Sequence, residues 1–435
     1  MTFTRITHLW AAVRAPSAAQ SRSAGRLRVA LLAYLAILGP GLVSGFADND
    51  AGGITTYSVV GAQFGYDLLW ALLASFIALL ITQEVGARLG IATGQGLMGL
   101  IRERFGLHWS ALAIAAMLIA NLGDTVAEFA GIGAALALFG IPVPISALLA
   151  SIVVLVLLTR ASFGRTQLIF VAIGIGVSAA YAVSALLARP DWGRATLYLV
   201  VPHGSPSAAY LLAVVGTVGT TITPWGQAFI QSYVADKHLG PGDLPGSRLD
   251  IGLGALLTNL VAGLIVVACA ATLWAHGQTQ IPDAAHAARA LGPLLGHGAT
   301  VLFAVGLLAA SFLGLGTVPL TSAYSVTEAL GFESGLDRSW SQARGFYGLL
   351  AFFVGFAALF VLIPGLPLIQ VMFLSQVLDG LLLPIILVFV FLLAANPLVL
   401  GELRSGPVLL TLGWLITVAV SVMSVVFVVA QIVGA

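Results

Sequence analysis

The chain has 435 residues, of which 59% are hydrophobic and 8% are charged, and its mean hydropathy is +1.05. This balance excludes a soluble globular domain and indicates an integral membrane protein, with the lipid bilayer as its first partner. The net charge of +1 argues against a nucleic-acid partner, and the single cysteine, Cys269, excludes an internal disulfide framework.

Long apolar segments predict an all-α polytopic membrane protein with 11 transmembrane helices, since a helix needs about 20 mainly apolar residues to cross a bilayer. The predicted spans are residues 29–61, 68–90, 110–138, 143–160, 167–188, 208–235, 250–275, 298–330, 345–363, 367–395 and 408–433. They form a single transmembrane domain, residues 29–435. Residues 1–28 carry five arginines and no acidic residue, and we predict a cytoplasmic tail there rather than a transit peptide.

Basic residues are distributed unequally between the two sides of the predicted membrane domain. Of the 18 lysines and arginines, 15 fall on the N-terminal side, and only Arg189, Arg194 and Arg289 fall on the opposite side. Since basic residues accumulate in cytoplasmic loops, we expect a cytoplasmic N-terminus and an external C-terminus in the inner membrane of a bacterium.

Two predicted spans are interrupted near their middle, five spans apart. The first span contains "GFADNDAGG" at residues 45–53, and the sixth contains "TITPWGQ" at residues 221–227. Glycine and proline at corresponding positions of two halves are typical of an inverted repeat with a binding site between the halves. We therefore expect repeats at about 29–188 and 208–395, with 408–433 as an extra span; ordinary helix kinks are the alternative.

The first interruption places carboxylates at membrane depth, where a charged group is costly and usually functional. An unwound segment exposes backbone carbonyls beside Asp50, and a carboxylate with carbonyls makes a cation site. Asp48, with Asn49 beside it, belongs either to the vestibule of that site or to a helix end that faces water.

The second interruption offers hydroxyl and amide oxygens without charge. Most of its threonines are expected to bond back to their own helix, and Thr223, directly before Pro224, is the predicted ligand. In the tenth span Gln376 and Asp379 are three residues apart and share a helical face. Gln376 either completes the coordination of a cation or bonds a neighbouring helix.

The third span contains Asp124 and Glu128 at i and i+4, on one face of the predicted helix. Two such carboxylates suit a proton path or a second cation position, and a closed salt-bridge network is the alternative. Glu84 and Arg88 have the same spacing, and we interpret them as an ion pair on a helix surface. No histidine falls in the centre of a predicted span, so a histidine metal site is not expected.

The motifs resemble those of the Nramp family of divalent metal transporters over essentially the whole chain. The similar segments are "GPGLVSGFADNDAGG", "DTVAEFAG", "TPWGQAFIQS" and "LSQVLDGLLLP", in the family's order and spacing. The resemblance implies a LeuT-like fold and import of a divalent metal ion, without enzymatic activity, a cofactor or an obligatory protein partner.

The same resemblance assigns residues to the metal site. It makes Asp50 the metal-binding aspartate, but Gly53 stands where the family has an asparagine ligand. Thr223 stands in place of a methionine, and Trp225 in place of a histidine. Losing the thioether favours a hard ion, as in the Nramp-related magnesium transporters, which the chain resembles most.

The expected metal site therefore comprises Asp50, Thr223 and Gln376, with Gly53 at the missing ligand and backbone carbonyls near Ala47 and Thr220. The expected second shell or vestibule consists of Asp48, Asn49, Trp225, Gln227 and Asp379. The expected transported ion is Mg2+ or Mn2+.

Proton coupling is expected to be weak or absent. The titratable positions of the family's proton route are occupied here by Thr125, Trp225 and Ile230, and Asp124 is one residue out of register. One alternative is a proton-coupled Mn2+ or Fe2+ transporter. A remote alternative is an intramembrane aspartyl protease, which would use the Tyr66-Asp67 pair and Asp124.

Overall fold

The computed structural model describes residues 48–159, 175–176, 178–292, 296–333, 335 and 338–433. The predicted N-terminal tail, the first half of the first span and Ala47 lie outside the described residues. So does much of the segment that joins the fourth and fifth predicted spans, residues 160–174.

All regular secondary structure in the described part of the chain is helical. Its α-helices are α1 (Ala51–Phe64), α2 (Leu69–Thr93), α3 (Leu97–Phe105), α4 (Leu107–Ala137), α5 (Val143–Thr159), α6 (Ser178–Leu187), α7 (Trp192–Val200), α8 (Ala208–Thr221), α9 (Pro224–Asp236), α10 (Leu244–Thr272), α11 (Ala284–Ala288), α12 (Ala299–Leu330), α13 (Arg344–Phe360), α14 (Leu368–Ala394), α15 (Pro397–Leu400) and α16 (Pro407–Val433). Short 3-10 turns occur at Pro241–Asp243, Trp274–His276, Arg289–Leu291, Gly296–Gly298 and Gly401–Leu403.

The long helices overlap predicted spans, whereas the short helices α3, α7, α11 and α15 lie between them. Within the described residues, 7 helical segments can cross a membrane by length and composition, with α8 and α9 counted together. Three shorter apolar helices, α5, α6 and α13, coincide with the fourth, fifth and ninth predicted spans. The interruption of the sixth span is present between α8 and α9, whereas of the first span the structure describes the bends at residues 48–50 and the helix that begins at Ala51. The total of eleven spans stays a prediction.

Helix α14 contacts α1, α4, α8 and α9 at the centre of the bundle, and α12 packs on α4. Small residues make the closest crossings possible, as is usual between membrane helices. At the crossing of α8 and α14, the Cα atoms of Gly219 and Gly380 face each other so closely that a Cβ on Gly219 would lie 2.9 Å from the Gly380 Cα and would overlap the Gln376 carbonyl.

Replacing Gly219 with alanine is therefore expected to lower the thermal unfolding temperature, although alanine favours an isolated helix by about 1 kcal/mol. The added methyl group pushes α8 from α14, and overpacking of this kind costs about 1–3 kcal/mol. Thermal unfolding of the purified protein in detergent measures the change.

Gly263→Ala in α10 is the matched control, because nothing lies within 4 Å of a Cβ built there. It should leave the unfolding temperature unchanged or raise it. An equal response of the two variants would contradict the close crossing of α8 and α14.

Candidate functional site

The first helix break occupies residues 48–50, which are bends, and α1 begins at Ala51. Asp50 is the N-cap of α1: its backbone is extended, and its carboxylate accepts a hydrogen bond from the Gly53 amide at 2.7 Å. Aspartate is among the best N-cap residues because its side chain replaces the missing helical acceptor. The break thus aims a carboxylate and a helix N-terminus at the same point.

The second helix break is built in the same way. Helix α8 ends at Thr221, and α9 begins at Pro224, whose missing N–H costs nothing at the first helical position. Thr223 is the N-cap of α9, and its hydroxyl accepts from the Gly226 amide at 3.1 Å. Each predicted interruption therefore ends in a capped half-helix, with a carboxylate at one cap and a hydroxyl at the other.

The two breaks lie against each other. A Cβ built on Gly53 would lie 2.8 Å from the Asp48 carbonyl oxygen, 3.1 Å from the Thr220 hydroxyl and 3.5 Å from Asp50 Oδ1. A Cβ built on Gly226 would lie 3.8 Å from Asp48 Oδ1. Gly53 is thus surrounded by oxygen atoms from both breaks, in the position where a longer side chain would otherwise extend.

Helix α14 brings an amide to the same place. Gln376 packs on Gly52 of α1 so closely that a Cβ on that glycine would overlap the glutamine amide. Its Nε2 donates to Asp124 Oδ1 and to the Ser375 hydroxyl, both at 3.0 Å, while Oε1 has no hydrogen-bond donor. Gln376 thus bonds a neighbouring helix, as one interpretation expects, and coordination of a cation by its remaining carbonyl oxygen stays a prediction.

Helix α4 adds two carboxylates. Glu128 lies beside Asp50 and the Ala51 amide, and Asp124, one turn earlier, lies beside Asp379 of α14. Together with Asp48 these residues form the acidic cluster: Asp48, Asp50, Asp124, Glu128 and Asp379.

The carboxylates of the acidic cluster are buried, so their ionised forms carry a large desolvation cost. Asp48 and Asp50 are 2% exposed, and Asp124, Glu128 and Asp379 are 0% exposed. Among the described residues, the ion pairs involve other acids, and none includes a member of the cluster. Buried carboxylates require counter-charges or protons, because the desolvation of an unpaired ion costs several kcal/mol. The cluster therefore needs cations or protons to neutralise it.

Uncharged oxygen atoms surround the acidic cluster. The Asn49 and Gln376 carbonyl oxygens, the Thr220 hydroxyl and both amide atoms of Gln227 are buried without a hydrogen-bond partner in the described part of the chain. Asn49 also donates to the Thr258 carbonyl at 3.5 Å. Such oxygens are the ligands that hard cations and their water shells accept.

Trp225 and two threonines of α8 make packing and backbone contacts near the second break. Trp225 is fully buried in an apolar cluster with Leu313, Val318 and Phe229. Thr217 and Thr221 bond back to carbonyls of α8 at 2.7 and 2.8 Å, as expected for structural threonines.

The predicted surface ion pair of Glu84 and Arg88 is present at 2.7 Å. Arg248 of α10 joins it, with its Nη2 atom 2.8 Å from Glu84 Oε1.

Sequence reasoning missed two residues beside the site. The thioether of Met372 accepts from the Thr55 hydroxyl at 3.5 Å and lies 3.5 Å from a Cβ built on Gly131. The Tyr57 hydroxyl pairs with Thr221 Oγ1 at 3.3 Å, linking α1 to α8. Met372 could have been found from its spacing, since it precedes Gln376 by one turn of α14.

The two aspartates of the protease alternative do not meet. Asp67 lies in the turn between α1 and α2, where partial burial raises its pKa against the lowering influence of His203 and Arg194. Asp124 is inside the bundle beside Asp379 and Gln376. A shared proton-transfer pair of Asp67 and Asp124 is therefore absent.

The fold is LeuT-like, with two capped helix breaks at its centre, which confirms the predicted all-α fold class. A manganese transporter of Eremococcus coleocola superimposes with a TM-score of 0.71 at 20% identity, covering 96% of this chain and 90% of that chain. MhsT in complex with L-phenylalanine superimposes with a TM-score of 0.61 at 16% identity, covering 90% of this chain and 98% of that chain.

The chain belongs to the Nramp family, the natural resistance-associated macrophage protein-like proteins, whose family model matches residues 41–430. The divalent metal cation transporter MntH of Deinococcus radiodurans is 30% identical over 403 residues, covering 89% of this chain and 88% of the relative. MntH of Mycobacterium tuberculosis is 28% identical over 421 residues, covering 92% of each chain.

Proposed function

We propose that the protein is a secondary transporter for divalent metal ions, with Mg2+ as its main substrate and Mn2+ as a second one. The acidic cluster carries the proposal, because buried carboxylates without described basic partners meet where two helices are broken. Membership of the Nramp family and the divalent metal transporters among the relatives support it. Alternating access would move the proposed repeats, about 29–188 and 208–395, relative to each other.

The proposed ligands explain a preference for hard ions. Asp50 would supply the carboxylate, Thr223 a hydroxyl, Gln376 its free carbonyl oxygen, and residues near Ala47 and Thr220 backbone carbonyls. Each of these donors is oxygen, which suits Mg2+ and Mn2+. The Asp48 carbonyl oxygen and the Thr220 hydroxyl lie beside Gly53, where the family has an asparagine ligand. These oxygens would take the place of the missing side chain in the shell of a hard ion.

A second candidate substrate is a softer metal ion such as Cd2+. The observation that favours it is Met372, whose sulfur lies on α14 one turn from Gln376 and close to Gly131. Thioethers bind soft metals better than hydroxyls do. The Thr55 hydroxyl already occupies one side of that sulfur, so we place Met372 second to the oxygen ligands.

Thr223→Met tests the assignment of the hard-ion site. We expect its uptake of Cd2+ relative to Mg2+ to rise about 10-fold, the effect of about 1.4 kcal/mol in relative binding, because a thioether replaces the hydroxyl at the cap. Uptake into proteoliposomes with purified protein, measured separately for Mg2+, Mn2+, Ca2+ and Cd2+, provides the ratio.

Thr223→Ala is the matched control, since it removes the hydroxyl and the cap without adding sulfur. Its uptake should fall for all four ions with little change in their ratio. No Mg2+ entry through the wild-type protein would refute the magnesium proposal. Cd2+ entry that is lost in Met372→Leu would establish the second candidate instead.

A further inference from the structure

Asp124 and Asp379 form a carboxyl pair between two helices that pack closely. Their crossing is made close by Gly123, where a Cβ would lie 3.2 Å from Leu378 Cδ2 and 3.6 Å from the Ser375 Cβ. The side chains of Asp124 on α4 and Asp379 on α14 are direct neighbours. Helical spacing in the sequence places Asp124 with Glu128 on α4 and Asp379 with Gln376 on α14. In the structure, Asp124 and Asp379 lie next to each other across the two helices.

No described basic residue neutralises the pair. Both residues are 0% exposed, and among the described residues no donor reaches either oxygen of Asp379 or Oδ2 of Asp124. In the described part of the chain no lysine, arginine or histidine forms an ion pair with either. Two adjacent carboxylates carry two negative charges when ionised, which matches one divalent cation.

Gln376 points to a ligand at this pair. It is 1% exposed, its Oε1 has no donor, and its amide reaches Asp124 Oδ1 at 3.0 Å. Rotation of the amide by half a turn would present the carbonyl oxygen to the pair, since the oxygen and nitrogen ends have the same shape. The pair then offers three side chains with oxygen donors.

The position of the pair relative to Asp50 follows from helix geometry. Asp379 is three residues beyond Gln376 on α14, about 4.5 Å along the helix, and Asp124 is four residues before Glu128 on α4. Glu128 lies beside Asp50 and Ala51, and Gln376 lies beside Gly52. The carboxyl pair therefore lies about one helical turn away from the start of α1.

We propose that Asp124, Asp379 and Gln376 form a second binding position for the transported divalent cation, one helical turn from the Asp50 position. The inference rests on the proposed function for the identity of the ion. Because Gln376 reaches both positions, they are occupied in turn, and the glutamine side chain passes the ion from one to the other. Hard oxygen ligands at both positions keep the same class of ion bound throughout this step.

Equilibrium dialysis of the purified full-length protein with Mn2+ as the probe tests the second position. The wild-type protein is expected to bind one Mn2+. Asp50→Ala should still bind one Mn2+ with an affinity about 10- to 100-fold weaker, because the second position remains. Adding Asp379→Asn to Asp50→Ala should abolish this residual binding, and Asp124→Asn in the same background should do so independently.

The matched control is Glu328→Gln in the Asp50→Ala background. Glu328 is a partly buried acid of α12 that faces Gly96 and Ser232, away from the acidic cluster, and its replacement should leave the residual binding unchanged. Elution as a single species with one cooperative unfolding transition establishes that each variant is folded.

The outcomes separate the two proposals. If Asp50→Ala alone abolishes Mn2+ binding, or if the residual binding survives both Asp379→Asn and Asp124→Asn, the second position is wrong and the proposed function stands. If Asp50→Ala binds Mn2+ as tightly as the wild-type protein, Asp50 is not the primary ligand and the proposed metal site is wrong. A wild-type protein that binds no divalent ion overturns both.

Discussion

Replacing Asp50 with asparagine is expected to reduce Mg2+ and Mn2+ uptake to the background of protein-free liposomes while the protein stays folded. The carboxylate is the one charged ligand that the proposed site draws from the first helix break. Asparagine is as good an N-cap as aspartate, so the hydrogen bond from the Gly53 amide to residue 50 survives the change. Only the charge is lost, and neutral ligands compensate poorly for a divalent ion in a buried site.

Asp50→Ala separates the two roles of this residue. It removes both the charge and the cap, so its unfolding temperature should fall below that of Asp50→Asn by the equivalent of about 1 kcal/mol. Both variants should be equally inactive in the same proteoliposome uptake assay. Uptake by Asp50→Asn at the wild-type rate would show that the Asp50 charge does not bind the transported ion.

Both helix breaks were predictable because their signals are local. Pro224 cannot continue a helix from Thr221. Gly52 and Gly53, which the sequence predicts to be part of the first interruption, lie inside α1. Asp50 and Thr223 are also favoured N-cap residues, so the start of each second half-helix is encoded within a few residues. The family resemblance added the order of these segments along the chain.

Contacts between residues that are distant in the chain were not predictable from these local signals. Gln376 bonds Asp124, which is 252 residues away in the chain, and no periodicity of either helix encodes that contact. Helical spacing correctly puts Asp124 and Glu128 on one helix, but it cannot show that they face different neighbours. Those neighbours depend on the crossing of α4 and α14, which is set by packing at small residues such as Gly123.

The two breaks also differ in their charge. They share a capped half-helix, yet the first carries Asp48 and Asp50 and the second carries threonines and Gln227. The remaining negative charge comes from α4 and α14, so the ion would be held by charge from three helices and by neutral oxygen from α8 and α9. Movement of α1 relative to α4 would therefore change the field at the ion without any change in its uncharged ligands.

Uptake driven by the membrane potential alone is the second large effect that we expect. A potential of 100 mV contributes about 2.3 kcal/mol per charge and so about 4.6 kcal/mol for a divalent ion, which corresponds to an accumulation of about 2000-fold at equilibrium. Little proton movement should accompany it. Of the residues at the family's proton positions, Thr125 bonds the Asn121 carbonyl of its own helix at 2.7 Å, Trp225 lies in an apolar cluster, and Ile230 cannot titrate.

Proteoliposomes that contain a pH indicator and a potassium gradient measure this directly. Valinomycin sets an interior-negative potential, and Mg2+ should accumulate without a stoichiometric fall in internal pH, whereas an inward proton gradient at zero potential should not drive accumulation. Asp50→Asn provides the control for leak through the bilayer. One or more protons entering with each metal ion would instead establish coupling. It would direct attention to Asp48 and to the acidic residues of α4 and α14, which are titratable groups beside the proposed metal site.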